Sequence, residues 1–285
     1  MHHRKSFIVT LHFGHVDVGS PGAAAMRPHP ALAHLAHRPW PLPSSPWVWR
    51  QNWCDLLFAH WPAKAADLQR FVPAPLEVQE FEGTSWVGLV PFRMSGVMRR
   101  PLPDLPGVSA FPELNVRLYV EHAGRPGVWF LSLDATNALA VWAARRYFHL
   151  PYYRADMELV QSVGGIVYTA ARRGGGPQLE ARYRPTSAPY ASHAGTLEHW
   201  LTERYCLYAQ APDGKLYRTD VHHAQWPLQR AEAEISRNTY LSSHGLELSG
   251  PPELLHFARR IDVVAWNPEL VEIGSRSASH REGRA

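Results

Sequence analysis

From Trp47 to Trp266 the chain is a succession of short apolar or alternating segments, each closed by Gly, Pro, Asn or Asp before the next begins. That rhythm narrows the fold more than any other feature. Antiparallel strands need only a tight turn between neighbours, whereas a parallel sheet needs a crossover of roughly a dozen residues, usually helical, between each pair. The strand segments are WVWRQNWCDLLFAHW, LEVQEFEGTSWVGLVPF as two strands joined at Glu82-Gly83, ELNVRLYVEH, GVWFLSLDA, GGIVYTAARR, LEARYRP, KLYRTDVHH and LLHFARRIDVVAW. Gly83 supplies the positive φ that a tight hairpin favours. Three short helices are expected: AKAADLQRFV after Pro62, TNALAVWAARRYF before Pro151, and GTLEHWLTERY. In the second, Thr136 serves as N-cap and Leu139, Trp142, Ala143 and Tyr147 share one apolar face. The fold class is mainly β, an antiparallel barrel or meander with a few short helices.

Hydrophobic residues make up 45% of the 285 residues, with 11 Trp and 11 Tyr, enough for an aromatic-rich core. Residues 46–270 read as a single domain, because β-barrels of roughly 200 to 250 residues routinely form one. Residues 1–45 are rich in His, Pro, Ala and Gly, show no period, and end in PWPLPSSP. They read as a disordered extension and linker whose removal should leave stability unchanged, and residues 271–285 as a flexible tail. The opening MHHRKSFIVTLHFG has too short an apolar run for a secretory signal, and no run reaches the ~18 residues of a membrane span.

The formal charge is +4, but +3 of it lies in residues 1–45 and +2 after Ser275, leaving the body near −1. No concentrated basic stripe is expected there, so nucleic acid is not expected as a partner by the electrostatics of phosphate binding. Cys54 and Cys206 are too few for a disulfide framework or a Cys-x-x-Cys metal site, which makes a cytoplasmic setting the default.

No G-x-S-x-G elbow, P-loop, G-x-G-x-x-G fingerprint or H-E-x-x-H helix is present, and nothing in the sequence calls for a metal or a cofactor. His222 and His223 are adjacent on a strand, so they point to opposite faces and one alone can face inward as an acid, base or donor. More telling is the alternation around Glu113: Leu114, Val116, Leu118 and Val120 form one face, and Glu113, Asn115, Arg117 and Tyr119 the other. On an ordinary sheet the polar set is the solvated side. In a barrel that encloses a ligand it lines the cavity, with Arg117 to hold a carboxylate and Glu113 to move a proton.

AADLQRFVPAPLEV resembles the helix and Val-Pro-x-Pro-Leu-Glu stretch near the start of acetoacetate decarboxylases. FRMSGV, the Glu113 strand and GVWFLSLDATNALAVWAARRYFHLPYY follow in that family's order. PFRMSGV, FPELNVRLYV, GVWFLSLDA, LPYY, LTERYCLY, VHHAQWPLQ and LLHFARRIDVVAW resemble more closely the YqjF-like family of uncharacterised proteins within the acetoacetate decarboxylase-like superfamily, over roughly Trp47 to Trp266. The resemblance implies a barrel-like fold with an enclosed pocket, in which Glu113 matches the superfamily's pocket glutamate. The decarboxylases use a lysine to form an imine, in a Pro-Lys-Lys segment that here reads Pro151-Tyr152-Tyr153. Tyrosine forms no imine, so Schiff-base chemistry is not expected. The site set is therefore Tyr152 and Glu113 as catalytic candidates, with Arg117, Asn115, Tyr153 and His222 as binding residues. A small-molecule enzyme acting on a carboxylate or carbonyl compound, a non-catalytic ligand-binding or sensing barrel, and an assembly protein all remain open. The partner expected is a small molecule, without nucleic acid or membrane, and homo-oligomers are compatible with the sequence.

Overall fold

The computed structural model describes residues 29–101, 109–248 and 250–272. A 3-10 turn at Pro30–Ala33 precedes β1 (Trp49–Ala63), α1 (Ala65–Gln69), β2 (Glu77–Val78), β3 (Ser85–Arg99), β4 (Phe111–His122) and β5 (Arg125–Ala135). Then follow α2 (Ala138–Phe148), β6 (Tyr152–Ser162), β7 (Gly165–Arg172), β8 (Gln178–Pro185), α3 (Leu197–Thr202) and β9 (Cys206–Gln210). The described chain ends with β10 (Leu216–His223), β11 (Gln229–Asn238), α4 (Tyr240–Ser243), β12 (Leu254–Ala265) and β13 (Glu269–Leu270).

The strands form one 13-stranded sheet that closes on itself twice. In the first closure β12, β1, β3, β4, β5, β9 and β10 make a ring, completed by Val221–His223 pairing with Val263–Ala265. In the second, β6, β7, β8 and β11 form a flap that leaves β5 and returns to β12. Most pairings are antiparallel, as the turn rhythm requires, but β5 pairs in parallel with both β6 and β9. Each parallel junction spans only two or three residue pairs, so the result is a ring of strands rather than a clean barrel.

β4 is shared by both closures and is buried on both faces. Leu114, Val116, Leu118 and Val120 are each 0% exposed and pack with Leu57, Leu89, Tyr168, Tyr183 and Phe257 between the ring and the flap. Burial of this kind stabilises by roughly 1.5–3 kcal/mol per aliphatic side chain. Glu113, Asn115 and Arg117, on the opposite face, are also buried. A solvated outer face is thereby excluded for them.

Several local expectations change. Pro62 ends β1 instead of opening a helix, and α1 begins after Lys64. α2 is capped by Asn137, not Thr136: its side chain accepts from the N–H groups of Leu139 and Ala140. The apolar set Leu139, Trp142 and Tyr147 on α2 faces outward, and the small residues Ala140 and Ala144 with Phe148 turn toward the ring. The segment before β1 is also not a loose linker over residues 29–45. Arg38 is buried and bonds Asp220 Oδ1 at 2.6 Å and the Val221 carbonyl at 2.5 Å, Trp40 donates to the same Asp220 oxygen, and Trp266 donates to the Ser45 carbonyl. Its proline content suppressed any periodic signal, but it docks through a few anchoring side chains, which need no period. Residues 1–28 and 273–285 lie outside the described residues.

Candidate active site

The seven-strand ring encloses a cavity of about 180 Å³ beneath α2. An engineered apolar cavity of ~150 Å³ holds a benzene, so this one suits a small molecule of similar or slightly larger size. Its walls are mostly hydrophobic, from Trp49 and Trp53 on β1, Phe92 and Met94 on β3, Phe130 on β5, and Trp226. Alternation places the polar groups: β4 contributes Glu113, Asn115 and Arg117, and β6 contributes Tyr152 at its first residue.

The Tyr152 hydroxyl donates to Glu113 Oε2 at 2.9 Å, and the Tyr168 hydroxyl fixes the backbone by donating to the Glu113 carbonyl at 2.7 Å. Burial pushes the Glu113 carboxyl up to about 8, against the pull of the Tyr152 bond, and Asp134 nearby adds to the rise. Burial and Glu113 together hold the Tyr152 hydroxyl well above its usual range. The tyrosine is therefore a donor and not a nucleophile, and the glutamate can hold or release a proton near neutral pH.

Arg117 lies across the face of Phe58, its carbon 5.1 Å from the ring centre, and donates to the Leu201 carbonyl and the Tyr119 hydroxyl. Tyr119 in turn meets His60 Nε2 at 2.6 Å, and burial together with Arg117 keeps His60 well below its usual range and therefore neutral. Gly88 on β3 stands opposite Arg117 in register, and a Cβ there would come within 3.1 Å of Arg117 Cγ. A side chain there would oblige Arg117 to shift by a few tenths of an ångström.

A second cationic group, Arg204, lies just after α3 and lines the same cavity. It donates to the Trp200 carbonyl and to Gln79 Oε1, and burial lowers it to about 10. Neither Arg117 nor Arg204 forms a salt bridge among the described residues. Four buried polar atoms of lining residues have no partner: Arg204 Nη2, Asn115 Oδ1 and the indole nitrogens of Trp53 and Trp226. Three donors and one acceptor are thus left for something that fills the space.

Of the six site residues read from the sequence, Glu113, Asn115, Arg117 and Tyr152 converge on the cavity. Tyr153 does not. Successive residues of β6 point to opposite sides, so it lies outside, under the guanidinium of Arg172. His222 does not either: its Nε2 meets the His34 carbonyl and its ring stacks on His37, beneath the docked segment, and burial lowers it to about 4. His223 takes the inward place, its Nδ1 2.7 Å from the Ala224 carbonyl and its Nε2 3.3 Å from that of Arg204. Arg204 and His223 were the residues missed; the register of β10 settles the second, and no sequence pattern marks the first.

The family model described as an uncharacterized conserved protein, DUF2071, matches residues 50–262. The chain belongs to this family. Uncharacterized protein YqjF of Bacillus subtilis (strain 168) is 45% identical over 226 residues, covering 79% of this chain and 93% of that protein. Among solved structures, the enduracididine biosynthesis enzyme MppR complexed with pyruvate superposes with a TM-score of 0.58 at 13% identity, over 81% of this chain and 93% of that one. Acetoacetate decarboxylase from Legionella pneumophila gives 0.56 at 15% identity, over 83% and 93%. An acetoacetate decarboxylase-like enzyme from Sphingomonas wittichii RW1 gives 0.57 at 16%, over 80% and 94%. These likenesses establish the acetoacetate decarboxylase-like fold. The lysines of the described chain lie elsewhere: Lys64 is exposed before α1, and exposed Lys215 pairs with Asp213 beside a turn.

Proposed function

We propose that the cavity binds a small carboxylate or carbonyl compound, with Arg117 and Arg204 receiving its negative end and the Glu113–Tyr152 pair acting on the other by proton transfer. The observation that carries this reading is the pairing, on the wall of one cavity, of two guanidinium groups lacking carboxylate partners with a glutamate whose proton is held to about pH 8. A buried cation without a counter-ion is costly, and a bound carboxylate supplies one. That MppR was solved with pyruvate supports a ligand of this size on this fold. Reaction through an imine has no support, since the position of the superfamily lysine is Tyr152.

Native mass spectrometry of the purified protein, followed by calorimetric titration with pyruvate and acetoacetate, tests the reading. Retention of a small acid, or saturable binding lost in Arg117→Leu and Arg204→Leu, supports it. An empty protein that binds neither probe overturns it. The second reading, a non-catalytic binding or sensing barrel, is favoured by the high Tyr152 value, which leaves the site without a nucleophile of its own. Binding without proton exchange at the carbon next to the ligand carbonyl, followed by NMR in deuterated water, would select it. Both cysteines are buried and free, which supports a reducing setting such as the cytoplasm.

A further inference from the structure

On the opposite side of α2 from the cavity lies a groove of about 580 Å³, lined by Trp142, Arg145 and Arg146 of α2, Tyr153 and Arg154 of β6, and Arg172 and Arg173 at the end of β7. The two spaces are separated by the helix itself: Ala140, Ala143, Ala144 and Phe148 face the cavity, whereas Ala138, Val141, Trp142, Arg145 and Arg146 face the groove. The near-neutral charge of the body conceals this cluster, because the arginines come from three elements and meet only in the fold.

Five guanidinium groups share the groove with two carboxylates. Asp134 takes Arg172 in a two-pronged bond at 2.8 and 2.7 Å, and Asp156 takes Arg173. Arg145, Arg146 and Arg154 are exposed and have no acidic partner among the described residues. The last turn of a helix favours a cation, which accounts for one of these charges but not for all three. The carbons of Arg172 and Arg145 lie 3.8 and 5.4 Å from the centre of the same Tyr153 ring, and that of Arg146 lies 5.9 Å from the centre of Tyr147, so aromatic rings position these cations. Beside them Trp142 is 57% exposed, its only ring neighbour among the described residues being Tyr147, edge-on at 6.1 Å.

We propose that this groove is a second binding site, for a polyphosphate that carries a flat ring, of the nucleoside diphosphate class: phosphates at Arg145, Arg146 and Arg154, ring stacked on Trp142. The three unmatched cations equal the charge of a diphosphate ester at neutral pH. Guanidinium groups suit phosphate through paired N–H donors, and the volume lies within the ~300–1,000 Å³ of small-molecule sites. The site is independent of any reaction in the cavity.

The test is isothermal titration of the full chain with ADP, inorganic pyrophosphate and adenosine, for the native protein and for Trp142→Ala, Arg145→Glu and Arg154→Glu. All three substituted positions are exposed, so thermal midpoints should match the native one and certify the fold. ADP is expected to bind saturably, and pyrophosphate at least about tenfold more weakly, the loss that removal of one stacked ring produces. Adenosine should show no measurable binding, and Trp142→Ala should bring ADP down to the pyrophosphate level. Either charge reversal should weaken ADP by about tenfold or more, with the native affinity falling as salt rises. Absence of ADP binding at millimolar concentration, equal affinity for ADP and pyrophosphate, or an ADP affinity unchanged in all three variants would overturn the proposal.

Discussion

Glu113 makes the most direct claim on experiment. Its folded value of about 8 lies above the ordinary 4.5, so between these limits the native state keeps a proton that the unfolded chain has released. Stability attributable to this group is therefore full below about pH 4.5, declines as pH rises to about 8, and changes no further above it. Glu113→Gln keeps an acceptor for Tyr152 and removes the ionisation; its thermal midpoint relative to the native protein should rise steadily from pH 5 to pH 8. A constant difference across that range would mean that Glu113 ionises as a normal carboxylate. For the ligand, Arg117→Leu should weaken an anionic compound by roughly 2–5 kcal/mol and Tyr152→Phe by about 1, the contrast between a charged and a neutral hydrogen bond, as read by titration calorimetry. Most of this site was legible in the sequence, because a period of two binds Glu113, Asn115 and Arg117 to a common face whatever that face meets. The side of the sheet that held the cavity was not legible, because β4 is buried on both sides and hydropathy marks only one of them. Arg204 stands outside any strand, in the three-residue passage from α3 to β9, where no period reports direction.

Elements were read best where a strong alternation or an aromatic run coincided with a turn. β6 and β11 escaped for opposite reasons. β6 begins directly at Pro151 and carries charged residues on its outer side, whereas β11 alternates Ala231, Ala233 and Ile235 with Glu232 and Glu234, a composition whose intrinsic preference is helical. Pairing to β8 and β12 overrides that preference. The segment 29–45 yields the prediction at this scale. Arg38 and Asp220 have side chains only 2% and 3% exposed, so Arg38→Ala leaves a buried carboxylate with Arg218 and Trp40 as its remaining partners. A cost of about 2–3 kcal/mol is expected, below the 3–5 for a carboxylate stripped of every partner, and thus a midpoint lower by roughly 4–10 °C in calorimetry. A midpoint unchanged by Arg38→Ala would return the segment to the role of a passive linker.

For the molecule as a whole, the ring keeps both described lysines off the cavity wall. With no lysine on the cavity wall and Lys64 and Lys215 exposed, borohydride added together with acetoacetate should leave the intact mass unchanged; a stoichiometric adduct on either lysine would refute this. The twofold closure has a further consequence for how such a protein can be altered. Because β4 is the party wall between the apolar core and the cavity proposed to take a ligand, its residues belong to two compartments in strict alternation. Exchanges at 113, 115 or 117 can refit the chamber one fixture at a time, leaving the neighbouring room undisturbed. Insertion or deletion of a single residue in this strand would instead trade the contents of the two rooms, delivering arginine and glutamate into hydrocarbon and leucine and valine to the ligand. New specificities in this architecture are thus open to substitution along β4 and closed to any change in its length.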